Sequence, residues 1–270
     1  MKDILDTIVD RKRSEVAVQK QAVPLDLLLS MGAAQFARPV RSMRKALELS
    51  ASGIIAEFKR KSPSKGWLHP EAKVEDIVPL YESGGAAACS VLTDSDFFGG
   101  SFDDLQHART LVRMPLLRKD FIIDEYQLFQ ARAMGADAVL LIASILTHDE
   151  CRQLAETAHT LHMEVLLEIH HEAELSHLNP YVDMLGVNNR HLGTFSTAVD
   201  NSFRLIEQMQ LRTKEAGNTP LLVSESGLSD VETVRQLREA GFRGFLIGET
   251  FMKTEHPGET LRLFIKQLEG

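Results

Sequence analysis

The chain has 270 residues, a length that fits one large domain with a short extension better than two full domains. Hydrophobic residues make up 44% and charged residues 25%, so the chain can bury a sizeable core. The formal net charge of −8 argues against a general nucleic-acid binder, which usually carries a basic excess. It does not exclude an anionic substrate, because a local pocket can be basic inside an acidic protein.

The cysteine content and the N-terminal segment bear on where the protein works. Its two cysteines, Cys89 and Cys151, form no CxxC pair, so neither a disulfide framework nor a zinc site is indicated. The segment MKDILDTIVDRKRSEV is charged and amphipathic, without the apolar region of a secretory signal. Apolar runs fall short of the ~18–20 residues of a membrane span. We therefore expect a cytoplasmic protein that binds neither membranes nor nucleic acid.

The first fifty residues have helical patterns. Apolar positions recur at helical spacing over residues 2–20, with Asp3 as a candidate N-cap. Further short helices are predicted over residues 25–31 and near residues 41–49. We interpret residues 1–50 as a helical extension that precedes the main fold.

From residue 53 onward, short apolar runs alternate with longer helical patterns. The runs are apolar throughout, as expected for strands buried on both faces, and glycine steps suited to helix C-caps precede several of them. The eight candidate strands cover residues 54–58, 87–92, 115–118, 137–142, 163–168, 182–187, 220–224 and 243–247. Helical patterns follow them near residues 71–83, 102–112, 124–134, 147–160, 171–177, 201–211, 229–240 and 257–268.

This alternation predicts parallel βαβ units, and eight such units close a (β/α)8 TIM barrel. An open doubly wound sheet is the alternative, but the first strand lacks the G-x-G-x-x-G turn that favours it. We predict one α/β barrel domain over residues 1–270, including the N-terminal helical extension. Catalytic side chains of a TIM barrel lie at the C-terminal ends of its strands, so those positions supply the candidates.

Charged side chains end three of the predicted strands. Glu57 and Lys59 alternate onto one face of the first strand, where each would compensate the other, although a basic surface loop accounts for them equally well. Lys119 ends the third strand and is a candidate general acid; the alternative is a solvated lysine beside Asp120, which could cap the next helix. Glu168 after an apolar run is the clearest signal, because buried carboxylates are rare.

The later strand ends carry amides and glycines. Asn188 and Arg190 suit recognition of hydroxyl and carboxylate groups, although asparagine-rich turns are common. Gly227 and Gly248 follow strands seven and eight, where this fold frequently binds phosphate, and they permit a close backbone approach. Glu249 next to Gly248 could instead stabilise a helix N-terminus. The pattern predicts acid–base chemistry on a phosphorylated small molecule.

The remaining chemistry-bearing residues fit ordinary structural roles. His170 and His171 follow Glu168, but the segment HEAELSH lacks the HExxH spacing of a zinc site, so we expect no metal. Cys89 is typical of a small core residue rather than a nucleophile. Core packing accounts for the apolar fourth strand, although a pocket for an aromatic ring would have the same composition.

Eight segments resemble the strand ends of the indole-3-glycerol phosphate synthase family: IIAEFKRKSPSKG, SVLTDSDFFGGSFDDL, LLRKDFIIDEYQ, ADAVLLIASIL, EVLLEIH, LGVNNRHL, VSESGL and FLIGETFM. The resemblance runs from about residue 4 to residue 268 and touches every predicted strand. Two positions depart from the family pattern: Asp94 replaces a glutamate, and His191 replaces an acidic or amide residue. The expected form is monofunctional, without a fused isomerase barrel.

The resemblance implies a reaction and its partners. Members of the family convert 1-(o-carboxyphenylamino)-1-deoxyribulose 5-phosphate to indole-3-glycerol phosphate, carbon dioxide and water, as carboxy-lyases of tryptophan biosynthesis. The phosphorylated substrate is then the small-molecule partner, and other tryptophan-pathway enzymes are candidate protein partners. No cofactor and no metal are implied. In the family, the helical extension lies over the barrel mouth and helps to bind the substrate phosphate.

Catalytic roles follow from the same resemblance. Lys119 is similar to the general acid that protonates the substrate ketone during ring closure. Lys59, positioned with Glu57, is similar to the partner of the anthranilate carboxylate. Glu168 resembles the residue that handles protons during dehydration, and Asn188 resembles a ligand of substrate hydroxyl groups.

The remaining implied contacts surround the substrate. Glu225 resembles a second acidic member of the site. The phosphate cradle is expected from Ser62, Gly227, Gly248 and the backbone at Glu249. The apolar slot for the anthranilate ring is expected from Phe98, Phe121, Leu140 and Ile142. Arg190 and Ser226 complete the predicted substrate contacts.

Three other functions stay open at this point. A phosphoribosylanthranilate isomerase on the same barrel would need a catalytic cysteine near strand one and an aspartate on a later strand, whereas strand one offers Glu57 and Lys59. A Schiff-base aldolase would use Lys119 as its amine. A non-catalytic phosphate-binding barrel would bind without turnover, and it gives no reason for Lys59, Lys119 and Glu168 to converge.

Overall fold

Eight parallel strands close into a barrel in the computed structural model, which describes residues 4–190, 198–215 and 219–270. The strands are β1 (Ile54–Phe58), β2 (Ala88–Leu92), β3 (Leu116–Lys119), β4 (Ala138–Ile142), β5 (Glu164–Ile169), β6 (Met184–Asn188), β7 (Leu221–Glu225) and β8 (Gly244–Ile247). Each strand pairs with the next one in the chain, and β8 pairs with β1. The predicted TIM barrel is confirmed, and the open doubly wound alternative is wrong.

Four helices form the N-terminal extension: α1 (Ile4–Ala22), α2 (Leu25–Met31), α3 (Ala33–Ala37) and α4 (Met43–Leu49). Helices α1, α2 and α4 confirm the three predicted helices. Helix α3 was not predicted, because it is too short to give a readable periodic pattern. The candidate N-cap Asp3 lies outside the described residues. Met43 and Leu47 of α4 are buried against the barrel interior, and Leu47 also approaches Gly244 at the start of β8. This helix therefore covers the N-terminal end of the barrel.

Helices cover the outside of the barrel between the strands. They are α5 (Val74–Ser83), α6 (Phe102–Leu111), α7 (Glu125–Ala133), α8 (His148–Thr160), α9 (Asp200–Glu215), α10 (Val231–Ala240), α11 (Glu249–Met252) and α12 (Pro257–Glu269). The link after β5 is a 3-10 helix, Glu172–His177, rather than an α-helix. A small hairpin, Lys61–Ser62 with Gly66–Trp67, occupies the loop after β1. None of the helices in the described ranges has both the length and the apolar character needed to cross a membrane.

Side-chain N-caps set the start of several outer helices. Ser101, Asp124, Thr147 and Asp230 each accept a hydrogen bond from a backbone N–H in the first turn of α6, α7, α8 and α10, respectively. The alternative in which Asp120 caps the helix after β3 is wrong. That helix begins after Asp124, and Asp120 is instead buried in an ion network.

Alternation along the strands decides which side chains face the barrel interior. The interior apolar cluster contains Ile55, Leu117, Leu166 and Val223. In each of these strands the residue two positions later is charged. Because strand side chains alternate between faces, four charged groups lie above this apolar layer, nearer the C-terminal mouth of the barrel.

A buried ion network joins α1 to the C-terminal ends of β2 and β3. Lys12 is 1% exposed, and its Nζ lies 2.8 Å from Glu15, 3.0 Å from Asp94 and 2.9 Å from Asp120. Arg118 adds a second cation at 2.9 Å from Asp120. Burial opposes ionisation of Asp120, but the charges of Arg118 and Lys12 outweigh it and lower the pKa of that carboxyl group. Asp94, a departure from the family pattern, thus helps to hold the extension on the barrel mouth.

We predict that Lys12→Met destabilises the protein by ~3–5 kcal/mol, because three carboxylates lose their shared cation. Urea unfolding followed by circular dichroism measures the loss. Arg11→Met on the same helix is the matched control, since Arg11 pairs with Asp96 at the surface and its loss should leave the unfolding midpoint near that of the wild type. Equal midpoints for all three proteins would contradict a stabilising role for the network.

Candidate active site

The C-terminal mouth of the barrel brings together the polar strand ends. Glu57, Lys119, Glu168 and Glu225 come from β1, β3, β5 and β7, and Asn188 comes from β6. Glu57 is 4% exposed, Glu168 2% and Glu225 0%, so all three carboxylates are removed from bulk water. The structure therefore gathers five of the six residues predicted as catalytic, and the sixth follows β1 directly.

Lys119 joins β3 to carboxylates on β5 and β7. Its Nζ lies 2.9 Å from Glu168 Oε2 and 2.7 Å from Glu225 Oε2. Burial alone would lower the pKa of the ammonium group, but the charges of Glu168, Glu225 and Glu57 outweigh it and raise the pKa of Lys119 above its ordinary value. Lys119, whose side chain is 13% exposed, is therefore held as a largely buried ammonium group.

The two carboxylates that share Lys119 have opposite electrostatic surroundings. Burial opposes ionisation of Glu168, but Lys119, His170 and the Asn188 amide prevail and lower the pKa of its carboxyl group. For Glu225, burial together with the charge of Glu168 outweighs Lys119 and raises the pKa. Environments that push neighbouring pKa values apart are typical of acid–base pairs. Glu168 is thus the member of the pair that stays ionised.

Glu57 and Lys59 form an ion pair beside this cluster. Lys59 Nζ lies 2.5 Å from Glu57 Oε1, and the lysine side chain is 12% exposed. The predicted pairing of these two residues is confirmed, whereas their roles toward a substrate stay predictions. Lys59 lines both cavities of the barrel mouth, so its ammonium group can reach a ligand in either one.

Two glycines make room for the carboxylates. A Cβ on Gly186 of β6 would lie 2.3 Å from Glu225 Oε1, and a Cβ on Gly248 after β8 would lie 2.4 Å from Glu57 Oε1. The sequence predicts Gly248 as a phosphate ligand, and the structure adds this packing role. Gly186 is a site residue that sequence analysis missed. A glycine inside a strand indicates close approach of another group and could have identified it.

An apolar cavity opens above Lys119 and Glu168. Its walls contain the four residues predicted for an aromatic slot together with two that were missed: Phe98, Phe121, Leu140, Ile142, Leu92 and Leu246. The rings of Phe98 and Phe121 lie 6.0 Å apart and are tilted by 39°. Walls of this kind with a few polar groups at the base are typical of a site for a small aromatic ligand.

A polar cavity adjoins the apolar cavity, and the two share Glu57, Lys59, Arg190, Ser226 and Leu246. Its basic lining residues are Lys59, Lys65, Arg190 and Lys253, against the two carboxylates Glu57 and Glu249. Arg190 binds Glu249 at 2.8 Å. This end of the site is cationic in a chain whose net charge is −8, which suits an anionic group.

The residues predicted to bind phosphate divide between the two cavities. Gly227, Gly248 and Glu249 line the polar cavity, whereas Ser62 lines the apolar one and accepts a hydrogen bond from the backbone N–H of Lys65 at 3.3 Å. The polar cavity also contains Ser64, whose hydroxyl the sequence offers as a phosphate contact, and two lysines that sequence analysis missed, Lys65 and Lys253. Loop lysines and serines have no periodic pattern that distinguishes a ligand from a solvated side chain.

The turn after β7 has an unusual backbone. Ser226 and Gly227 have φ values of 67° and 76°, and a serine in this left-handed region costs about 1–3 kcal/mol. Asn189 supports the turn, because its Nδ2 donates to Ser226 O and to Ser224 Oγ at 3.1 Å each. Sequence analysis missed Asn189, although its place beside Asn188 at a strand end is a readable signal.

Histidines, cysteines and carboxylates could also suggest a metal site or a cysteine nucleophile. Within the described ranges, no three His, Cys, Asp or Glu side chains are grouped so that they could hold a metal ion. Cys89 is buried and free, as predicted for a core residue, and Cys151 is also buried and free. His191, the second departure from the family pattern, lies outside the described residues.

Comparison with known proteins decides the family. The sequence model described as indole-3-glycerol phosphate synthase matches residues 5–267. The chain belongs to the indole-3-glycerol phosphate synthase family. An indole-3-glycerol phosphate synthase of Bacteroides thetaiotaomicron is 57% identical over 269 residues, with 100% of both chains covered. Another, from Neisseria meningitidis serogroup C, is 43% identical, with 95% of this chain and 96% of that protein covered.

Solved structures share the barrel at much lower identity. The tryptophan synthase α2β2 complex from Pyrococcus furiosus has a chain with a TM-score of 0.58 and 15% identity, covering 80% of this chain and 97% of that one. A mutant α subunit of the same enzyme has a TM-score of 0.60 and 14% identity, covering 81% and 98%. These likenesses show the fold alone. The site of this member of the indole-3-glycerol phosphate synthase family is therefore described from its own geometry.

We predict that Glu225 makes this family member less stable as the pH rises. Its pKa is raised in the folded state, so its contribution is present below the ordinary value of 4.5 and is lost as the pH rises through the raised pKa. Between pH 4.5 and the raised pKa of about 7, the free energy of unfolding should fall by roughly 1 kcal/mol per pH unit. Glu225→Gln should remove this component of the slope. Identical pH slopes for the two proteins would show that Glu225 ionises normally.

Proposed function

We propose that the site closes the indole ring of indole-3-glycerol phosphate, converting 1-(o-carboxyphenylamino)-1-deoxyribulose 5-phosphate to that product with release of carbon dioxide and water. Family membership makes the chain a carboxy-lyase of tryptophan biosynthesis. The observation that carries the proposal is Lys119, a largely buried ammonium group that lines the apolar cavity, which adjoins the cationic one.

The two cavities match the two ends of this substrate. The anthranilate ring fits the apolar cavity, where Phe98 and Phe121 can lie against its faces. The phosphate fits the cationic cavity, where Arg190 and Lys253 offer charge and Gly227 permits backbone approach. The sugar carbons then lie between the cavities. This pose puts the ketone close to Lys119, and the hydroxyl groups close to Asn188.

Ring closure needs a proton at the ketone oxygen. The ring carbon that bears the carboxylate attacks the ketone carbon, and negative charge develops on the oxygen as the bond forms. Lys119 can donate that proton, because Glu168 and Glu225 keep it charged until the oxygen becomes the stronger base. The same two carboxylates favour the return of a proton to Lys119 when dehydration releases one.

Decarboxylation then restores the aromatic ring. Lys59 can bind the anthranilate carboxylate at the boundary of the cavities, and Glu57 orients the ammonium group. Ring closure leaves the ring nitrogen as an iminium cation, and the electron pair of the broken bond to the carboxylate passes to it. An apolar environment favours this step, because both charges are neutralised as carbon dioxide leaves. The carboxylate leaves without a proton, so each turnover takes up one proton from solution.

Dehydration completes the indole. The hydroxyl group leaves with a proton as water, and a base removes a proton from the neighbouring ring carbon. Glu168 suits the base, because its surroundings keep it ionised and one of its oxygens contacts Lys119, to which the proton can pass. Glu225, whose pKa is raised, is less suited to this role.

The rival functions have less support from this geometry. A Schiff-base aldolase needs a neutral lysine amine, whereas Glu168 and Glu225 favour the ammonium form of Lys119. An isomerase with a cysteine base has no such residue on β1. We extend the proposal to a cytoplasmic location and to other tryptophan-pathway enzymes as candidate partners, because the substrate and product are intermediates of that pathway.

The proposal predicts that the purified, EDTA-treated protein converts the carboxyphenylamino sugar phosphate with a rise in indole fluorescence. Lys119→Met should lower kcat by about 10²–10⁴-fold, since a positioned general acid contributes an effect of this size. Lys45→Met is the matched control, because Lys45 is exposed and outside both cavities, and it should keep the wild-type kcat.

Circular dichroism establishes that each variant is folded before activities are compared. A folded wild-type protein without turnover would contradict the proposed function. Turnover by Lys119→Met at the wild-type rate would leave the function in place but remove Lys119 from the role of general acid. Capture of the sugar phosphate by borohydride would favour the aldolase instead.

A further inference from the structure

Among the residues that the structure describes, the buried ring of His170 has no hydrogen-bond partner. It is 5% exposed, and neither ring nitrogen makes a hydrogen bond to the part of the chain that the structure describes. Such groups are rare in proteins, because an unpaired buried donor costs stability. The position of this one beside the candidate active site points to a role in the reaction.

The nearest polar atoms to the ring belong to two carboxylates. Nε2 lies 3.6 Å from Glu168 Oε1, and Nδ1 lies 3.8 Å from Glu174 Oε2. The backbone is fixed at the same point, since His170 N donates to Glu174 Oε2 at 2.6 Å and His170 O accepts from Asn201 at 3.1 Å. A movement of less than ~1 Å would bring Nε2 into hydrogen-bond range of Glu168.

Glu168 has a second oxygen, and its partner changes during the reaction. Oε2 binds Lys119, which becomes a neutral amine when it has given its proton to the ketone. At that moment the buried Glu168 carboxylate has lost its main counterion, while the nearby Glu225 stays in place. His170 and the Asn188 amide are then the groups near Glu168 that can stabilise its charge, and His170 faces Oε1, the oxygen that Lys119 does not use.

We propose that His170 is a positioning residue that holds the Glu168 carboxylate through Oε1 while Lys119 is uncharged. The inference rests on the proposed function and deepens it, because it gives Glu168 a partner for the dehydration half. The charge of His170 also contributes to the lowered pKa of Glu168, after that of Lys119. The other charged or titratable groups near the ring are Glu174 and His171 in the link after β5 and Asp200 and Arg204 on α9.

Two substitutions separate positioning from packing. In His170→Gln the side-chain amide can donate near the position of Nε2, toward Glu168. In His170→Asn the amide lies near the position of Nδ1, on the side of Glu174. His171→Asn is the matched control, since His171 is exposed and asparagine keeps its capping role at the 3-10 helix.

The experiment measures kcat, KM and the pH profile of kcat with the carboxyphenylamino sugar phosphate. We expect His170→Asn to lower kcat about tenfold or more with KM within about twofold, as for the loss of a hydrogen bond to a charged group. The acidic limb of kcat should move to higher pH, because Glu168 loses a group that favours its ionised form. His170→Gln should recover most of kcat.

Several outcomes would overturn the inference. They are a wild-type kcat and pH profile in His170→Asn, a rise of KM alone, and equal losses in both His170 variants with a matching fall in melting temperature. Turnover by the wild-type protein is measured first, so the two proposals can fail separately. No wild-type turnover contradicts the proposed function, whereas wild-type turnover with unchanged His170→Asn contradicts only the role of His170.

Discussion

The contact of one largely buried ammonium group with two carboxylates is the interaction on which the rest of the site depends. Lys119 comes from β3, and its partners come from β5 and β7. In a flat open sheet, β3 and β7 would be separated by four strand spacings, roughly 19 Å, which a lysine side chain cannot span. Only closure of the barrel brings these strand ends within hydrogen-bond distance. The contacts of Lys119 with both carboxylates therefore require the closed barrel.

The N-terminal extension contacts both ends of the closed barrel. Met43 and Leu47 of α4 cover the N-terminal end of the barrel, while Lys12 of α1 binds Asp94 and Asp120 at the C-terminal end. Asp120 follows Lys119 directly in the chain. The ion network thus fixes the backbone beside Lys119, and the extension and the site are expected to lose order together.

The sequence was most informative where a polar side chain interrupts an apolar strand. Lys119 and Glu168 stand out because a charge at the end of a buried strand is costly unless it faces the barrel mouth, where catalytic groups lie. Gly186 and Asn189 have weaker local signals, a glycine inside a strand and an amide beside Asn188. Their roles in the site depend on which residues face them across neighbouring strands. That register is a property of the closed barrel and has no local signal.

The loops and short elements mark the other limit of prediction. Lys65 and Lys253 enter the cationic cavity from loops, where composition does not distinguish ligands from surface residues. Helices α3 and α11 are too short for a helical period to be read. Asp120 was interpreted as a possible helix cap, and that was wrong because an aspartate after a strand can also pair with buried cations that lie far away in the sequence.

The charge of Lys119 in the resting protein tests the account most directly. Nitrogen-15 NMR of the Lys119 side chain, assigned with Lys119→Arg, would follow its protonation as the pH rises. The account predicts an ammonium signal that persists beyond pH 10.5, the ordinary pKa of lysine, while exposed lysines titrate. Titration of Lys119 at or below that pH would contradict it, because Glu168 and Glu225 would then fail to hold the proton for ring closure.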